Sequence, residues 1–378
     1  MTATAFRRPV PTRAGILDIA PYVQGASTLE GVAKVHKLAS NEAALGPSPK
    51  AVAAFRDTAA SLHLYPDGQC GALRLAIADA FDMVPERLIF ANGSEAILDL
   101  LIRTHAGPGD EVLWPRLSFP LYRIQTLAAG AQPIEAEAPD FTADVDALLG
   151  AVTPATRVVI LANPNNPTGT WIPRADLVRL REGLREDVLL IIDSAYGEYP
   201  EDPSYSDGRD VVDAHPDNTV MTRTFSKMYA IANARVGWAY AGPGLIDVME
   251  RVRLTFCVGA QAQAAAVAAL GDQDHVGAER AHCLRWRTQF EAALSAAGLP
   301  CVQGAGNFVF LSVPNRAGGW QGFDAHLKRH GIIARPIPPA NALRISIGSE
   351  EANLTLLSAV ASAQQALNGP GAPFPASP

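Results

Sequence analysis

From about residue 85 onward, short apolar runs alternate with longer segments whose apolar residues recur at helical spacing. This alternation is typical of parallel strands joined by crossover helices, and it constrains the fold more than any other feature. It predicts an α/β core whose sheet is covered by helices on both faces. The predicted strands are Arg87–Phe90, Glu111–Trp114, Thr156–Ala162, Val188–Asp193, Thr219–Thr222 and Val236–Ala241, and the predicted helices are Glu95–Thr104, Phe119–Ala129 and Arg174–Arg185.

After Gly242 the pattern changes, which indicates a second and smaller domain of α+β type. A long helix is predicted over Val276–Ala297, and separated strands are predicted near Asn307–Val313 and Ala342–Ile347. We expect an N-terminal arm over 1–45, a large domain over 46–250, a small domain over 251–367 and a flexible tail over 368–378. The most apolar stretch, Ala260–Leu270, is interrupted by two glutamines and predicts an amphipathic or buried helix.

Composition excludes several classes of function. The 31 Lys and Arg against 38 Asp and Glu give a net charge of −7, so there is no general basic field to hold nucleic acid or an anionic membrane. The four cysteines form no CxxC pair, which argues against a zinc site or a disulfide framework and favours a reduced, cytoplasmic setting. No signal peptide is evident. His326 and His330 stand four apart without the glutamate of a zinc protease, so no metal site is predicted.

Polar and charged residues follow three predicted strands, at the sheet edge where open α/β proteins bind ligands. The loop 163–169, Asn-Pro-Asn-Asn-Pro-Thr-Gly, follows the strand 156–162. Asp193 closes the next strand and Tyr196 comes three residues later. Lys227 follows a third strand, and Arg235 stands eight residues further on. No GxGxxG, Walker A or GxSxG motif competes with this constellation.

Asn-Pro-Thr-Gly, Asp-x-x-Tyr, Ser-Lys and a later Arg, in this order, resemble the fold-type I aminotransferases that use pyridoxal 5′-phosphate (PLP). The resemblance implies a large domain with a mostly parallel sheet and a smaller α+β domain. Lys227 is the amine that would hold PLP covalently and then act as general base. Asp193 would keep the ring nitrogen protonated. Asn166 and Tyr196 would donate to the phenolic oxygen, and Tyr196 counts with Lys227 and Asp193 among the catalytic residues.

The cofactor phosphate requires a site for a dianion. Arg235 offers a planar fork of donors, and hydroxyls and the start of a predicted helix offer the rest. The predicted phosphate-binding residues are Gly93, Ser94, Glu95, Thr224, Ser226 and Arg235. Phe119 stands where the family places an aromatic ring over the pyridine. A plain helix cap for Glu95 and a core position for Phe119 are the structural alternatives.

Within this superfamily, the chain from about Ile19 to Ala366 resembles the histidinol-phosphate aminotransferases. The resemblance rests on Pro21-Tyr22-Val23, Leu38-Ala39-Ser40-Asn41-Glu42, Tyr65-Pro66-Asp67, Arg223 to Lys227, Gly306-Asn307-Phe308 and Leu343 to Gly348. It implies amino-group exchange with glutamate and 2-oxoglutarate by a ping-pong mechanism. It also implies an obligate homodimer in which Tyr65 reaches the neighbouring subunit's cofactor phosphate. The resemblance further implies that the substrate-binding residues are Tyr22, Asn41, Arg335 and Arg344, and that Arg344 binds the substrate carboxylate.

Three departures from the family pattern leave the substrate open. Ala43-Ala44 replaces the usual Asn-Pro, the segment 336–343 between the two arginines is short and proline-rich, and Cys257 stands where asparagine is expected. An aromatic amino acid aminotransferase is therefore the nearest alternative. A PLP-dependent decarboxylase of a phosphorylated amino acid shares much of the pattern. A PLP-binding transcription regulator is disfavoured, because only about 45 non-basic residues precede the fold.

Overall fold

The computed structural model describes residues 10–22, 26–32, 34–315 and 318–368, so the predicted tail beyond 368 and the start of the predicted arm lie outside it. The elements follow one another as β1 His36–Lys37, α1 Pro49–Asp57, α2 Gly71–Phe81, β2 Leu88–Asn92, α3 Ser94–His105, β3 Glu111–Pro115, α4 Leu121–Ala129, β4 Gln132–Ala136, α5 Val145–Gly150, β5 Thr156–Ala162, α6 Arg174–Gly183, β6 Leu189–Asp193, α7 Arg209–Ala214, β7 Thr219–Thr224, β8 Val236–Ala241, α8 Pro243–Glu250, α9 Ala260–Gly271, α10 Gln273–Ala296, β9 Phe308–Ser312, α11 Gly319–Arg329, β10 Ile332–Ile333, β11 Arg335–Ile337, β12 Ala342–Ser346 and α12 Glu350–Asn368.

A seven-stranded sheet in the order β2-β8-β7-β6-β5-β3-β4 forms the centre of the molecule. All neighbouring strands are parallel except β8, which runs antiparallel to both β2 and β7. Successive residues of β6 alternate between two apolar cores, with Leu190 and Ile192 in one and Leu189 and Ile191 in the other. The sheet is therefore buried on both faces, which is why β5 and β6 at its centre are largely apolar runs.

The parallel strands β5, β6 and β7 bring their carboxyl ends to one edge of the sheet. Asp193, the last residue of β6, is in register with Ala162 on one side and Thr222 on the other. The loop after Ala162 and the segment from Thr222 to Lys227 consequently begin beside Asp193. The three motif segments, widely separated in sequence, meet at this edge.

A smaller antiparallel sheet, in the order β11-β12-β9, lies in the C-terminal part of the chain. The N-terminal segment contacts this part of the chain: the Ser346 amide of β12 donates to the Leu38 carbonyl, and β1 pairs in parallel with β10 in a separate two-stranded sheet. Helix α10 packs on α12 and on β9, whereas α9 packs on α1 and α2. We propose that the large domain ends at residue 250 and the small domain begins at residue 251.

One strand prediction needs correction, and one strand was missed. Val236–Ala241, predicted together with the parallel strands, runs antiparallel, because the 11 residues between β7 and β8 include no crossover helix. β4 was not predicted: it lies at the sheet edge, contains Pro133 and is buried only at Ala136. The stretch Ala260–Leu270 is helical as predicted, and Ala262, Ala266 and Leu270 are among its buried residues.

No helix among the described residues is long and apolar enough to cross a membrane. On α11, His326 Nε2 lies 2.9 Å from the Ala359 main-chain oxygen, and the Ser362 hydroxyl lies 3.2 Å from His326 Nε2 and 3.4 Å from His330 Nε2. This histidine pair thus belongs to the contact between α11 and α12.

Arg181 on α6 holds the starts of the central strands. Its guanidinium is buried and donates to the carbonyls of Val188 and Asn218, at 2.8 and 3.1 Å, and to those of Leu184 and Arg185. Burial lowers the pKa of Arg181. The carbonyls it binds precede β6 and β7, the strands that carry Asp193 and the segment before Lys227.

We expect Arg181→Met to lower the free energy of unfolding by ~3 kcal/mol, because buried carbonyls lose a charged donor. Denaturant unfolding followed by circular dichroism measures the change. Arg179→Met is the matched control on the same helix; Arg179 is exposed and pairs with Asp146 and Asp176, so its loss should leave the midpoint nearly unchanged. Equal losses for the two variants would contradict this role of Arg181.

Candidate active site

A pocket lies at the carboxyl edge of the large sheet, between that sheet and the small one. Fourteen of the sixteen predicted site residues line it; only Gly93 and Tyr65 do not. Those fourteen are Tyr22, Asn41, Ser94, Glu95, Phe119, Asn166, Asp193, Tyr196, Thr224, Ser226, Lys227, Arg235, Arg335 and Arg344. Tyr22 and Arg344, which are 322 positions apart in sequence, thus share one cavity.

Asp193 places a carboxylate at the base of this pocket. It is 5% exposed and accepts hydrogen bonds from Tyr122 Oη at 2.7 Å, Thr222 Oγ1 at 3.3 Å and the Ala195 amide at 3.2 Å. Burial raises the pKa of Asp193, although these hydrogen bonds oppose the rise. No cationic side chain of the described residues pairs with it. The carboxylate therefore favours a cationic group in the pocket.

Lys227 extends into the pocket from the loop after β7. Its Nζ donates to the main-chain oxygens of Asn41, at 3.2 Å, and Ser40, at 3.5 Å, and lies 5.6 Å from the centre of the Tyr196 ring. Asn41 Nδ2 donates to Tyr196 Oη at 2.8 Å, which leaves the phenolic proton available to an acceptor in the pocket. An amine, a phenol and a buried carboxylate therefore surround one space.

Arg235 and the start of α3 form a cradle for an anion. Arg235 Nη1 donates to Ser226 Oγ at 3.2 Å, and its Nη2 lies 4.0 Å from Glu95 Oε2. Gly93 precedes α3 with a φ of 82°, and a Cβ there would lie 2.5 Å from Arg235 Nη2. Only glycine permits this approach, so Gly93 is adjacent to the cradle although it does not line the pocket.

Two residues near the site were not predicted. Gly237 on β8 admits the start of α3, because a Cβ there would lie 2.1 Å from the Ser94 amide nitrogen. Tyr122, on α4, is fully buried and donates to Asp193; desolvation and that carboxylate raise its pKa well above the ordinary value. Tyr122 comes three residues after Phe119, and this closeness to a predicted site residue is the sequence feature that could have indicated its role.

Arg344 is a buried arginine without an ion-pair partner in the described part of the chain. Its Nη1 donates to Asn166 Oδ1 at 2.6 Å, its Nη2 donates to the Ala39 main-chain oxygen at 2.5 Å, and its Nε has no partner. Burial lowers the pKa of Arg344. A buried guanidinium with an unused donor is a ready site for a ligand carboxylate or phosphate.

Arg335 stands beside Arg344 because the hairpin β11–β12 is tight. The two arginines are directly opposite each other in the antiparallel register, and Pro338–Ala340 closes the turn. The Arg335 guanidinium lies 5.7 Å from the Tyr22 ring centre. The short proline-rich segment noted in the sequence thus brings two cations to the pocket wall.

The pocket continues outward into a second chamber with largely apolar walls. Tyr22, Phe119, Asn166, Arg335 and Arg344 line both cavities. The outer chamber adds Trp114, Leu117, Pro120, Ile337, Pro338 and Pro339, with Arg116, Arg123 and Glu135 also lining it. Flat apolar surfaces of this kind suit a ring-shaped substituent.

Tyr65 lies outside the pocket of its own chain. It is 83% exposed and stacks on Phe256, with ring centres 4.7 Å apart. Leu62, Leu64 and Leu254 are also exposed, at 74%, 62% and 73%. Cys257 does not line the pocket either; its Sγ lies 3.6 Å from the Phe90 main-chain oxygen and from Arg253 Nη1.

Comparison with known proteins agrees with this arrangement. The family model described as "Aminotransferase class I and II" matches residues 33–360. The chain is 45% identical to the histidinol-phosphate aminotransferase of Paramagnetospirillum magneticum over 356 residues, which is 93% of this chain and 98% of that protein. It is 44% identical to the enzyme of the same name from Rhodopseudomonas palustris, over 94% and 98% of the two chains.

Solved structures lead to the same conclusion. The histidinol-phosphate aminotransferase of Sinorhizobium meliloti, in complex with pyridoxal-5′-phosphate, aligns with a TM-score of 0.81 at 28% identity, covering 88% of this chain and 91% of that one. The aspartate aminotransferase of Thermus thermophilus aligns with a TM-score of 0.77 at 25% identity, covering 87% and 91%. The predicted fold class and family resemblance are confirmed. The chain belongs to the class I and II aminotransferase family.

Proposed function

We propose that this protein is a histidinol-phosphate aminotransferase that uses PLP and exchanges amino groups between histidinol phosphate and the glutamate/2-oxoglutarate pair. The relatives of that name at 44–45% identity match nearly end to end, which supports the same substrate here. One observation carries the cofactor assignment: the buried Asp193 carboxylate has no cationic partner among the described residues and faces the pocket that holds Lys227 and Arg235.

The pocket residues offer a partner for each polar group of PLP, namely the ring nitrogen, the phosphate and the phenolic oxygen. Asp193 would hold a protonated ring nitrogen, and Arg235, Ser226 and the start of α3 would bind the phosphate. Asn166 and Tyr196 would donate to the phenolic oxygen. When bound, PLP supplies an aldehyde for amine exchange and a ring that accepts electrons from the substrate Cα. Lys227 Nζ supplies the covalent anchor, and afterwards it removes and returns the Cα proton.

The two arginines explain how one pocket accepts two unlike substrates. Glutamate has two carboxylates, whereas histidinol phosphate has a phosphate and an alcohol. Arg344, with a vacant Nε donor beside Asn166, is placed for the α-carboxylate. Arg335, which lies beside Tyr22 and lines both cavities, is placed for the other anionic group. Bidentate guanidinium pairing serves both carboxylate and phosphate.

An aromatic amino acid aminotransferase is the second candidate. The apolar walls of the outer chamber, which include Trp114, Phe119 and Ile337, would accept a phenyl ring as readily as an imidazole ring. Both candidates involve the same chemistry at Lys227 and differ only in the substituent that enters the outer chamber.

We further propose that the active enzyme is a homodimer whose Tyr65 hydroxyl reaches the phosphate site of the partner. Tyr65 and Phe256 stack on the surface among exposed leucines, and such an apolar patch is unfavourable in water unless another molecule covers it. Arg235 in the phosphate cradle is 45% exposed, so this side of the site is open to a second subunit.

The substrate assignment predicts unequal effects of Arg344→Ala. With purified PLP-loaded enzyme, wild type should convert histidinol phosphate when 2-oxoglutarate is supplied. In the variant, kcat/KM for glutamate should fall at least ~10-fold, because charged hydrogen bonds to the α-carboxylate are lost. The fall for histidinol phosphate, which lacks that carboxylate, should be smaller.

Arg335→Ala is the matched control from the facing strand, and it should lower kcat/KM for both substrates, because the second carboxylate of glutamate and the phosphate of histidinol phosphate both lose a partner. Equal losses for both substrates in the Arg344 variant would contradict its assignment to the carboxylate. Turnover of phenylalanine but not of histidinol phosphate by wild type would replace the first candidate with the second.

The dimer proposal predicts complementation between inactive and weakened subunits. Tyr65→Phe should weaken PLP binding ~10- to 100-fold by removing one charge-assisted hydrogen bond. In a purified hybrid dimer, one subunit carries Tyr65→Phe and the other, which is marked by a second tag, carries Lys227→Ala. The only site that retains Lys227 then receives an unaltered Tyr65 from the partner subunit. That site should bind PLP with wild-type affinity. Weakened affinity in the hybrid, or a monomer at working concentration, would refute the proposal.

A further inference from the structure

The segment from Asn41 to Ser48 is held by one face of the start of α10. Ser48 Oγ donates to Asp272 Oδ2 at 2.5 Å, and the Gly46 main-chain oxygen lies 2.9 Å from His275 Nε2. Glu279 accepts hydrogen bonds from the main-chain amides of Ala44 and Leu45, the two residues before Gly46. Positions 272, 275 and 279 fall on one helical stripe, so α10 contacts the segment repeatedly over two turns.

Glu279 is the most deeply buried of these contacts. Its side chain is 0% exposed, its Oε1 accepts the Ala44 amide at 3.0 Å and its Oε2 accepts the Leu45 amide at 2.9 Å. Cys283 Sγ lies 3.4 Å from Oε1. No cation forms an ion pair with this carboxylate in the described ranges. Two main-chain amides of a loop therefore provide the main compensation for a fully buried acid.

The same segment contacts the reactive lysine at its other end. The Asn41 main-chain oxygen accepts from Lys227 Nζ at 3.2 Å and from Asn307 Nδ2 at 3.0 Å. The Asn41 side chain donates to Tyr196 Oη. Asn41 has a φ of 53°, a strained value for a non-glycine residue, so neighbouring contacts must hold it in place.

Position 44 is one of the two at which the sequence departs from the Asn-Pro of the family pattern. Alanine has an N–H to donate to Glu279, and proline has none. In this chain, a hydrogen bond to a buried carboxylate therefore fixes the segment where a proline ring would otherwise stiffen it.

We propose that Glu279 is a positioning residue for the reaction: by holding the Ala44 and Leu45 amides, it keeps the Asn41 carbonyl on Lys227 Nζ and the Asn41 amide on Tyr196 Oη. This inference rests on the proposed function, since it assigns to Lys227 the capture of PLP. The Asn41 carbonyl accepts a hydrogen bond from Lys227 Nζ at 3.2 Å, so loss of that contact removes a favourable interaction with the charged form of the amine.

The test measures the rate at which cofactor-free enzyme captures PLP, by visible absorbance, as a function of pH. Only a neutral amine attacks an aldehyde, so the midpoint of the profile responds to the hydrogen bonds that Lys227 Nζ makes. Glu279→Gln should move the midpoint down by at least ~0.5 pH unit. The other titratable groups lining the pocket are the same in all variants: Tyr22, Glu95, Tyr122, Asp193, Tyr196, Arg235, Arg335 and Arg344.

Asp272→Asn is the matched control. It loosens the same segment at Ser48 from the same helix face, but it does not touch residues 41–45. Both variants should melt at lower temperature, and only Glu279→Gln should move the pH midpoint. Ala44→Pro should move the midpoint in the same direction by a smaller amount, because it removes one amide donor while the Leu45 amide still binds Glu279 and the proline ring stiffens the segment.

An unchanged midpoint in Glu279→Gln, or an equal shift in Asp272→Asn, would overturn the proposal. Failure of both Glu279→Gln and Ala44→Pro to fold would also overturn it, because Glu279 would then serve stability alone. If wild-type enzyme captures no PLP on Lys227, as judged by borohydride reduction and peptide mapping, the proposed function itself fails. The two failures are therefore distinguishable.

Discussion

The arrangement of the site depends on one electrostatic feature, a carboxylate buried at the end of the central strand without a cation beside it. Asp193 is held by three hydrogen bonds, from Tyr122, Thr222 and the Ala195 amide, yet burial still raises its pKa. Such a group is costly in an empty pocket and favourable beside a positive charge. The parallel strands on either side position the loop 163–169 and the lysine segment around it. The pocket is therefore prepared for a cationic ring, and the anion cradle at Arg235 and the pair Arg335 and Arg344 line the same cavity.

Much of the fold follows from local sequence patterns. β5 and β6 are continuous apolar runs because both faces of the sheet are covered, and such runs are recognisable without any knowledge of their neighbours. The direction of β8 is a different matter: its residues read like those of a parallel strand, and only the missing crossover helix reveals its orientation. The edge strand β4 escaped prediction because partial exposure and Pro133 remove the apolar signal.

The site divides in a similar way. Lys227, Asp193 and Arg235 were predictable because each follows a strand and their residue types suit one chemistry. Tyr122 and Gly237 were not, because their importance arises from contacts with Asp193 and with the start of α3. Glu279 is the extreme case, since more than 230 positions separate it from the amides it binds. No spacing rule connects a helical glutamate to a loop so far away; only the packing of α10 against the N-terminal segment does.

We propose that the Asp193 carboxylate pairs with the positive charge of the protonated ring nitrogen of the bound cofactor. The most direct measurement is the nuclear magnetic resonance shift of an isotopically labelled ring nitrogen in PLP-loaded enzyme, recorded well above the pH at which free pyridines lose their proton. The ring nitrogen should be protonated in wild type and unprotonated in Asp193→Asn, with the phosphate still bound in both. An unprotonated nitrogen in wild-type enzyme, or the same shift in both proteins, would disprove the pairing of Asp193 with the ring.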